Sequence, residues 1–150
     1  MAIVTRDIIR AFILDNSDNI ELLEELEFKD GDIDNALDIC LAKLNAMTPI
    51  TDYKADDLHD IFKYPLICGT AAILMKGRAT AQLRNQISFQ DMGRPVGIHD
   101  KYPQYAQLAA DLRQEFEMIS SQIKQQLNME SGFDSVGTEY FYAEYARYEY

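Results

Sequence analysis

Basic residues are scarce in this chain, and the shortage limits what it can bind. The 150 residues contain 14 Lys and Arg against 25 Asp and Glu, a formal net charge of -11. General binding of nucleic acid through its phosphates needs a basic face, so the composition argues against that class of protein. Two cysteines are too few for a disulfide scaffold, and since tryptophan is absent the large aromatic side chains are all Tyr or Phe.

Glycine, proline and long apolar runs are also few. Seven Gly and four Pro beside 47% hydrophobic residues exclude collagen, low-complexity and intrinsically disordered proteins. The longest uncharged stretch, residues 64–75, has 12 residues and is too short to cross a bilayer. We therefore expect one domain of ordinary size that folds in the cytosol with reduced thiols.

The charges are distributed unevenly along the sequence. Residues 1–62 carry five basic and 15 acidic side chains, residues 63–101 carry six and two, and residues 102–150 carry three and eight. This dipolar distribution suits identical copies in which the acidic face of one binds the basic face of the next, as in a heterologous ring. A solvated surface explains it equally well.

Apolar residues at helical spacings predict an all-α fold of about five helices. The longest is expected over residues 103–129, with Gly132 as its stop. Small residues mark the helix that begins at Pro65 as the most buried one, because they let another backbone approach closely. Gly69 and Gly77 each weaken that helix by about 1 kcal/mol relative to Ala, which a packing need would explain. The predicted helices are one that starts after Thr5 and ends before Asn16, and those at residues 30–48, 57–62 (capped by Asp56 or Asp57), 66–86 and 103–129, besides a short acidic turn of helix at 20–26.

Two segments do not have helical patterns. Residues 87–98 alternate around the turn sequence Asp91-Met92-Gly93-Arg94 and predict one β-hairpin or extended loop. The last 18 residues, 133–150, include seven aromatic, four acidic and one basic side chain. We interpret them as an extended C-terminal arm, separate from a helical domain at 1–132, that docks on a neighbour or packs back on its own domain. Its aromatic residues are Phe133, Tyr140, Phe141, Tyr142, Tyr145, Tyr148 and Tyr150.

No catalytic, cofactor or metal site is predicted. The possible ligands Cys40, Cys68, His59 and His99 lack metal-binding spacing, which favours buried structural thiols. The acids that begin at Asp30 lack the Gly and Glu that a calcium loop needs, and they suit a helix N-terminus. A basic patch of Lys76, Arg78 and Arg84 either faces an acidic neighbour or DNA, or is a solvated or ion-paired helix end.

Four motifs follow one another over residues 25–133. In order and spacing they resemble the head–tail connector (neck adaptor) virion proteins of tailed bacteriophages. The N-terminal helix and the aromatic arm lie outside the resemblance. The motifs are Glu27-Phe28-x-Asp30-x-x-Ile33-x-x-Ala36-Leu37 with Asn45 and Pro49; Pro65-Leu66-Ile67-x-Gly69-x-Ala71-Ala72; Arg84-Asn85-x-Ile87-Ser88-Phe89-x-Asp91-x-Gly93; and Tyr105 through Lys124-x-x-Leu127-Asn128 with Gly132-Phe133.

The resemblance implies a structural virion protein and not an enzyme. Such adaptors are mostly helical, form a ring, commonly a dodecamer, beneath the portal, extend the DNA channel and offer a docking platform to other neck or tail proteins. DNA passes through without specific binding, and the location implied is the neck of the virion, after synthesis in the host cytoplasm and away from membranes. Applied to this chain, the resemblance implies that the C-terminal arm docks on the portal and that the 87–98 loop contacts a neighbouring subunit. The loop residues implied in that contact are Phe89, Asp91, Gly93, Arg94 and Val96.

Two other functions stay open from the sequence. One is a small cytosolic scaffolding or regulatory protein that binds a partner through the tyrosine-rich tail. The other is an enzyme subunit whose site forms only in an oligomer.

Overall fold

The computed structural model describes residues 4–15, 27–56, 58–84, 90–91, 94–95 and 102–145. Of residues 90–91, 94–95 and 133–145 only the backbone is described. The described chain is mostly helical, as predicted. Its helices are α1 (Arg6–Ile13), α2 (Asp30–Ala46), a 3-10 helix (Asp60–Phe62), α3 (Lys63–Arg84) and α4 (Tyr102–Tyr145).

Helix α3 lies at the centre of the fold, as its small residues predicted. It packs most extensively against α4 and next against α2, and it also contacts α1. Every residue from Pro65 to Ala72 is buried, so this stretch of α3 is enclosed on all sides, whereas Lys63 and Tyr64 before it are exposed. Pro65 fits the first turn because the backbone N–H groups there have no partner within the helix.

The two glycines of α3 that the sequence analysis linked to packing differ in their surroundings. A Cβ on Gly69 would lie 2.8 Å from Cδ2 of Phe116 and would overlap Sγ of Cys40, so α2, α3 and α4 meet there because Gly69 has no side chain. A Cβ on Gly77 would meet nothing within 4 Å. The packing explanation is confirmed for Gly69 and is wrong for Gly77, which lies on an exposed part of the helix.

Helix α4 contains the longest helical segment, as predicted, but it does not end at Gly132. It runs without interruption from Tyr102 to Tyr145, so residues 133–145 are helical and not the extended arm that was expected. A single helical glycine costs about 1 kcal/mol relative to Ala, which does not by itself end a long helix. Residues 146–150 lie outside the described part of the chain.

Two short strands follow α3. Strand β1 (Gln90–Asp91) pairs antiparallel with β2 (Arg94–Pro95), with Gln90 opposite Pro95 and Asp91 opposite Arg94. Most of the 87–98 segment lies outside the described residues, and the larger hairpin stays a prediction. The predicted helix at residues 20–26 also lies outside them.

The short helix before α3 begins later than predicted. His59, and neither Asp56 nor Asp57, is its N-cap: His59 Nδ1 accepts a hydrogen bond from the backbone N–H of Ile61 over 3.3 Å. Its last residue, Phe62, is completely buried and stacks obliquely on Tyr53, with ring centroids 5.3 Å apart. The 3-10 turn thereby anchors the start of α3 in the core.

Candidate functional site

Two arginines of α1 pair with the acidic first turns of α2. Arg6 Nε donates to Oδ1 of Asp34, and Arg10 Nη2 donates to Oδ1 of Asp30, each over 2.7 Å. Hydrogen bonding from Arg10, helped by the charge of Arg6, holds the pKa of Asp30 below its usual value. The described residues hold no group of three or more His, Cys, Asp or Glu placed to bind a metal.

Arg10 and Asp15 form a buried ion pair that sequence reasoning missed. Arg10 is 8% and Asp15 2% exposed, and Arg10 Nη1 lies 2.6 Å from Asp15 Oδ2. Asp15 also accepts the backbone N–H groups of Glu27, over 2.7 Å, and Phe28, over 3.2 Å. The pair joins the end of α1 to the chain that enters α2. The signal available in the sequence was that the charged Arg10 directly follows the apolar Ile9.

Lys124 is a buried cation to which the sequence analysis gave no role. It is 1% exposed, and its Nζ donates to the carbonyls of Leu44, Met47 (2.9 Å) and Pro49 (3.0 Å). Burial lowers the pKa of Lys124. Because these carbonyls lie at and after the C-terminal end of α2, where a helix favours positive charge, Lys124 ties α4 to that end. Its position next to the apolar Ile123 was the only signal.

The two thiols are buried, as the sequence predicted. Cys40 and Cys68 are completely buried and free. Burial raises the pKa of Cys40 from 9.0 to about 12 and also raises that of Cys68. Thiols that stay protonated at neutral pH are poor nucleophiles and poor metal ligands.

The three residues of the predicted basic patch do not share one face of α3. Lys76 and Arg84 are exposed. Arg78, about 200° from Lys76 around the helix, instead pairs with Glu27, with its Nε 2.6 Å from Oε1. The Arg78 guanidinium also lies over the ring of Phe28, 5.6 Å from its centroid. Within the described part of the chain Lys76 and Arg84 form no ion pair, whereas Arg78 has one with Glu27.

A groove separates α2 from the second half of α3 (the α2–α3 groove). It has a volume of about 300 Å³, and its apolar lining includes Phe28, Ile39 and Ile73. Ile39 is 48% exposed, and Gly77 borders the groove from α3. The groove also has polar and charged lining residues, namely Glu27, Asp32, Asn35 and Arg78, and no described part of the chain covers it.

The predicted docking elements are described only in part. Within the loop, Asp91 and Arg94 occupy opposite positions of the strand pair, whereas Phe89, Gly93 and Val96 lie outside the described residues. Of the arm, Phe133, Tyr140, Phe141, Tyr142 and Tyr145 belong to the helical backbone of α4. Tyr148 and Tyr150 lie beyond the described part.

The chain was compared with protein-family models, with curated proteins and with solved structures, and none of the three comparisons found a match. No described helix is both long enough and apolar enough to cross a membrane. Function is therefore inferred from the residues and contacts of the chain itself.

Proposed function

We propose that this chain is a head–tail connector, or neck adaptor, of a tailed bacteriophage. In this role, copies form a ring below the portal, extend the DNA channel and offer a docking platform to other neck or tail proteins. The aromatic segment at 133–150 binds the portal, and the 87–98 loop contacts a neighbouring subunit. The proposal combines the resemblance of the four motifs with the observations that follow.

The length of α4 is the observation that carries the proposal. Among the residues whose side chains are described, the last one packed against the core is Leu127, and residues 128–132 are exposed. The helix nevertheless continues to Tyr145, which adds about 27 Å beyond Leu127 at 1.5 Å per residue. A helix that continues past its last described core contact and then becomes rich in Tyr and Phe is suited to contacting another molecule, because these residues are enriched in interface cores.

The charges of the described residues are compatible with a channel that passes DNA. Arg6, Arg10 and Arg78 are each paired with acidic residues within the chain, and Lys124 is buried. These cations are therefore not available to bind phosphates. We expect an acidic or sparsely charged channel wall, since a strongly basic wall would hold the DNA. A ring whose channel was lined by Arg78, Arg84 and Arg94 would contradict this part of the proposal.

Portal binding tests the role of the aromatic segment. A variant that ends at residue 132 is expected to keep its helical circular dichroism and its cooperative unfolding but to lose binding to a candidate portal protein. A matched variant with Glu139, Glu144 and Glu149 changed to Gln, which keeps every aromatic residue, should still bind. Unfolding of the truncated chain would instead make the segment part of the core.

The same experiment separates the proposal from the alternative. A scaffolding protein would bind some other partner through the segment and would show no affinity for a portal. Genes for portal and capsid proteins beside the gene for this chain would support the adaptor. Their absence, together with no binding to any portal offered, would favour the scaffold.

A further inference from the structure

The apolar side of α4 changes position where the helix leaves the core. Leu127 is the last residue with a described side chain that packs against the core. Two residues later, Met129 is 59% exposed and lies about 160° from Leu127 around the helix. Because α4 continues without interruption to Tyr145, the rotation of its later positions follows from helix geometry. The side that Met129 marks therefore lies away from the core.

A line of uncharged, mostly apolar residues continues from Met129 on this side. Positions 133, 136, 140 and 143 follow at intervals of four, three, four and three residues and lie within about 40° of Met129 around the helix. They hold Phe133, Val136, Tyr140 and Ala143. This alternation of three and four is the spacing of a helix that packs against another helix along its length. We call these five residues the α4 seam.

The charges that border the α4 seam are all acidic. Glu139 and Glu144 lie about 80° and about 60° from Met129, on opposite sides of the seam. In heptad notation they occupy positions g and e, whose charges set the choice of partner between paired helices. Residues 125–146 contain no Lys or Arg that would offset them. A surface complementary to the seam is therefore apolar along its floor and basic at its rims.

A second copy of this chain does not offer that chemistry. In a parallel pair of seams, Glu139 of one helix would lie beside Glu144 of the other, and in an antiparallel pair acids would again face acids. The α2–α3 groove of another copy does not fit either, because Asp32 lines it and its Arg78 is already paired with Glu27. The charges therefore select a different protein, one with Lys or Arg beside an apolar groove.

We infer that the α4 seam binds as a helix in an apolar groove of the portal whose rims carry Lys or Arg. Binding of an amphipathic helix in a groove uses anchors at intervals of three, four and seven residues. Phe133, Val136 and Tyr140 have these intervals and are the anchors. The inference rests on the proposed function and narrows it, because aromatic residues on the other sides of the helix then contribute little to the affinity.

Two matched pairs of substitutions test which side of the helix binds. Phe133→Ala/Tyr140→Ala removes two anchors of the seam. Phe141→Ala/Tyr145→Ala also removes one Phe and one Tyr, at positions about 120° and about 160° from Met129. The affinity for a candidate portal protein, measured by titration calorimetry, should fall about 100-fold or more with the first pair and less than about threefold with the second. Because Ala favours helix, circular dichroism should show the same helix content in both.

The salt dependence of binding tests the charges at the rims. Rim charges mainly change the association rate and the response to salt, so the affinity of the unaltered chain for the portal should fall as salt is raised. Glu144→Gln should still bind the portal but with a flatter response to salt. Asp134→Asn also removes one charge, but at a position about 140° from Met129, and it should keep the response of the unaltered chain. Equal responses of the two variants would contradict a basic rim.

Other outcomes overturn the inference. Equal losses of affinity with the two aromatic pairs would show that no side of the helix is preferred. A dimer of the unaltered chain that Phe133→Ala/Tyr140→Ala abolishes in analytical ultracentrifugation would make a second copy the occupant. A lower free energy of unfolding of that variant would mean that the chain's own residues cover the seam. In each case the adaptor role stands if the unaltered chain binds the portal. If it binds no candidate portal, the adaptor role fails as well.

Discussion

The two halves of α3 have similar small residues but opposite surroundings. In the first half, Gly69 touches α2 and α4 at once, and every residue from Pro65 to Ala72 is buried. In the second half, Gly77 borders an open groove, with Lys76 and Arg84 exposed near it. One helix therefore has a half that the other helices enclose (the packed half) and a half that has a buried side, with Leu74, Met75 and Ala79, and an exposed side (the open half).

The difference shows what a small residue in a helix means. Gly69 is explained by contacts within the chain, since a Cβ would overlap its neighbours. Gly77 weakens the helix by about 1 kcal/mol relative to Ala without any such contact. Glycine therefore has a packing role at one position of α3 and none within the described chain at the other. The predictions below test this contrast, from the largest expected effect to the smallest.

Replacement of the buried Lys124 should have the largest effect. Lys124→Met keeps the apolar part of the side chain but removes the ammonium donor from three carbonyls at the α2 end, of which that of Leu44 still accepts the backbone N–H of Met47. We expect the free energy of unfolding to fall by about 3 kcal/mol, because unsatisfied buried polar groups cost about 1–3 kcal/mol each and some will find water. Urea denaturation measures this decrease in the free energy of unfolding. Lys76→Met, on the open half, should change the free energy of unfolding by less than about 0.5 kcal/mol. Equal effects of the two substitutions would contradict the burial of Lys124 and the exposure of Lys76.

Addition of one methyl group to the packed half should be the next largest effect. Gly69→Ala places a Cβ against Phe116 and Cys40. We expect a loss of about 1–2 kcal/mol in the free energy of unfolding, because overpacking outweighs the better helix propensity of Ala. Thermal or urea denaturation checks it. A variant as stable as the unaltered chain would show that the three helices separate easily.

The Cys40 thiol of α2, which lies against Gly69 of the packed half, predicts an alkaline loss of stability. The pKa of Cys40 is about 12 in the folded chain against an ordinary value of 9.0. Between these values the unfolded thiol ionises while the folded thiol keeps its proton. Stability is therefore complete below pH 9 and falls toward pH 12, by up to about 1.4 kcal/mol per pH unit. Urea denaturation at a series of pH values measures the slope, and Cys40→Ala should reduce it. An unchanged slope in that variant would remove Cys40 as the cause.

Addition of the same methyl group to the open half should have the smallest effect, in the opposite direction. Gly77→Ala meets nothing within 4 Å, so the free energy of unfolding should rise by about 1 kcal/mol through helix propensity. The comparison with Gly69→Ala under identical conditions is its control. Destabilisation at both positions would mean that the open half is packed in the folded chain after all.

Much of the fold was predictable because helical periodicity is a local property. The apolar stripe from Tyr105 to Leu127 indicated the long helix, and the small residues after Pro65 indicated the central one. The end of α4 was not predictable from Gly132, because one unfavourable residue does not decide where a long helix ends. The start of the 3-10 helix depended on His59, whose side chain accepts the N–H of Ile61.

The candidate site was less predictable than the fold. Lys76, Arg78 and Arg84 look alike in the sequence, yet only Arg78 is paired with Glu27, which lies 51 residues earlier. The α2–α3 groove combines residues of two helices, so that no continuous pattern indicated it.

The sequence by itself determined the helical class, the long last helix and the buried thiols. It could do so because residues within one helix turn set these properties. Only the tertiary structure decided which glycine is packed, which charges are buried and which surface stays open. Those outcomes depend on partners far away in sequence: Lys124 satisfies the carbonyl of Leu44, which lies 80 residues before it. A contact over that distance exists only once the helices have packed, and no local pattern specifies it.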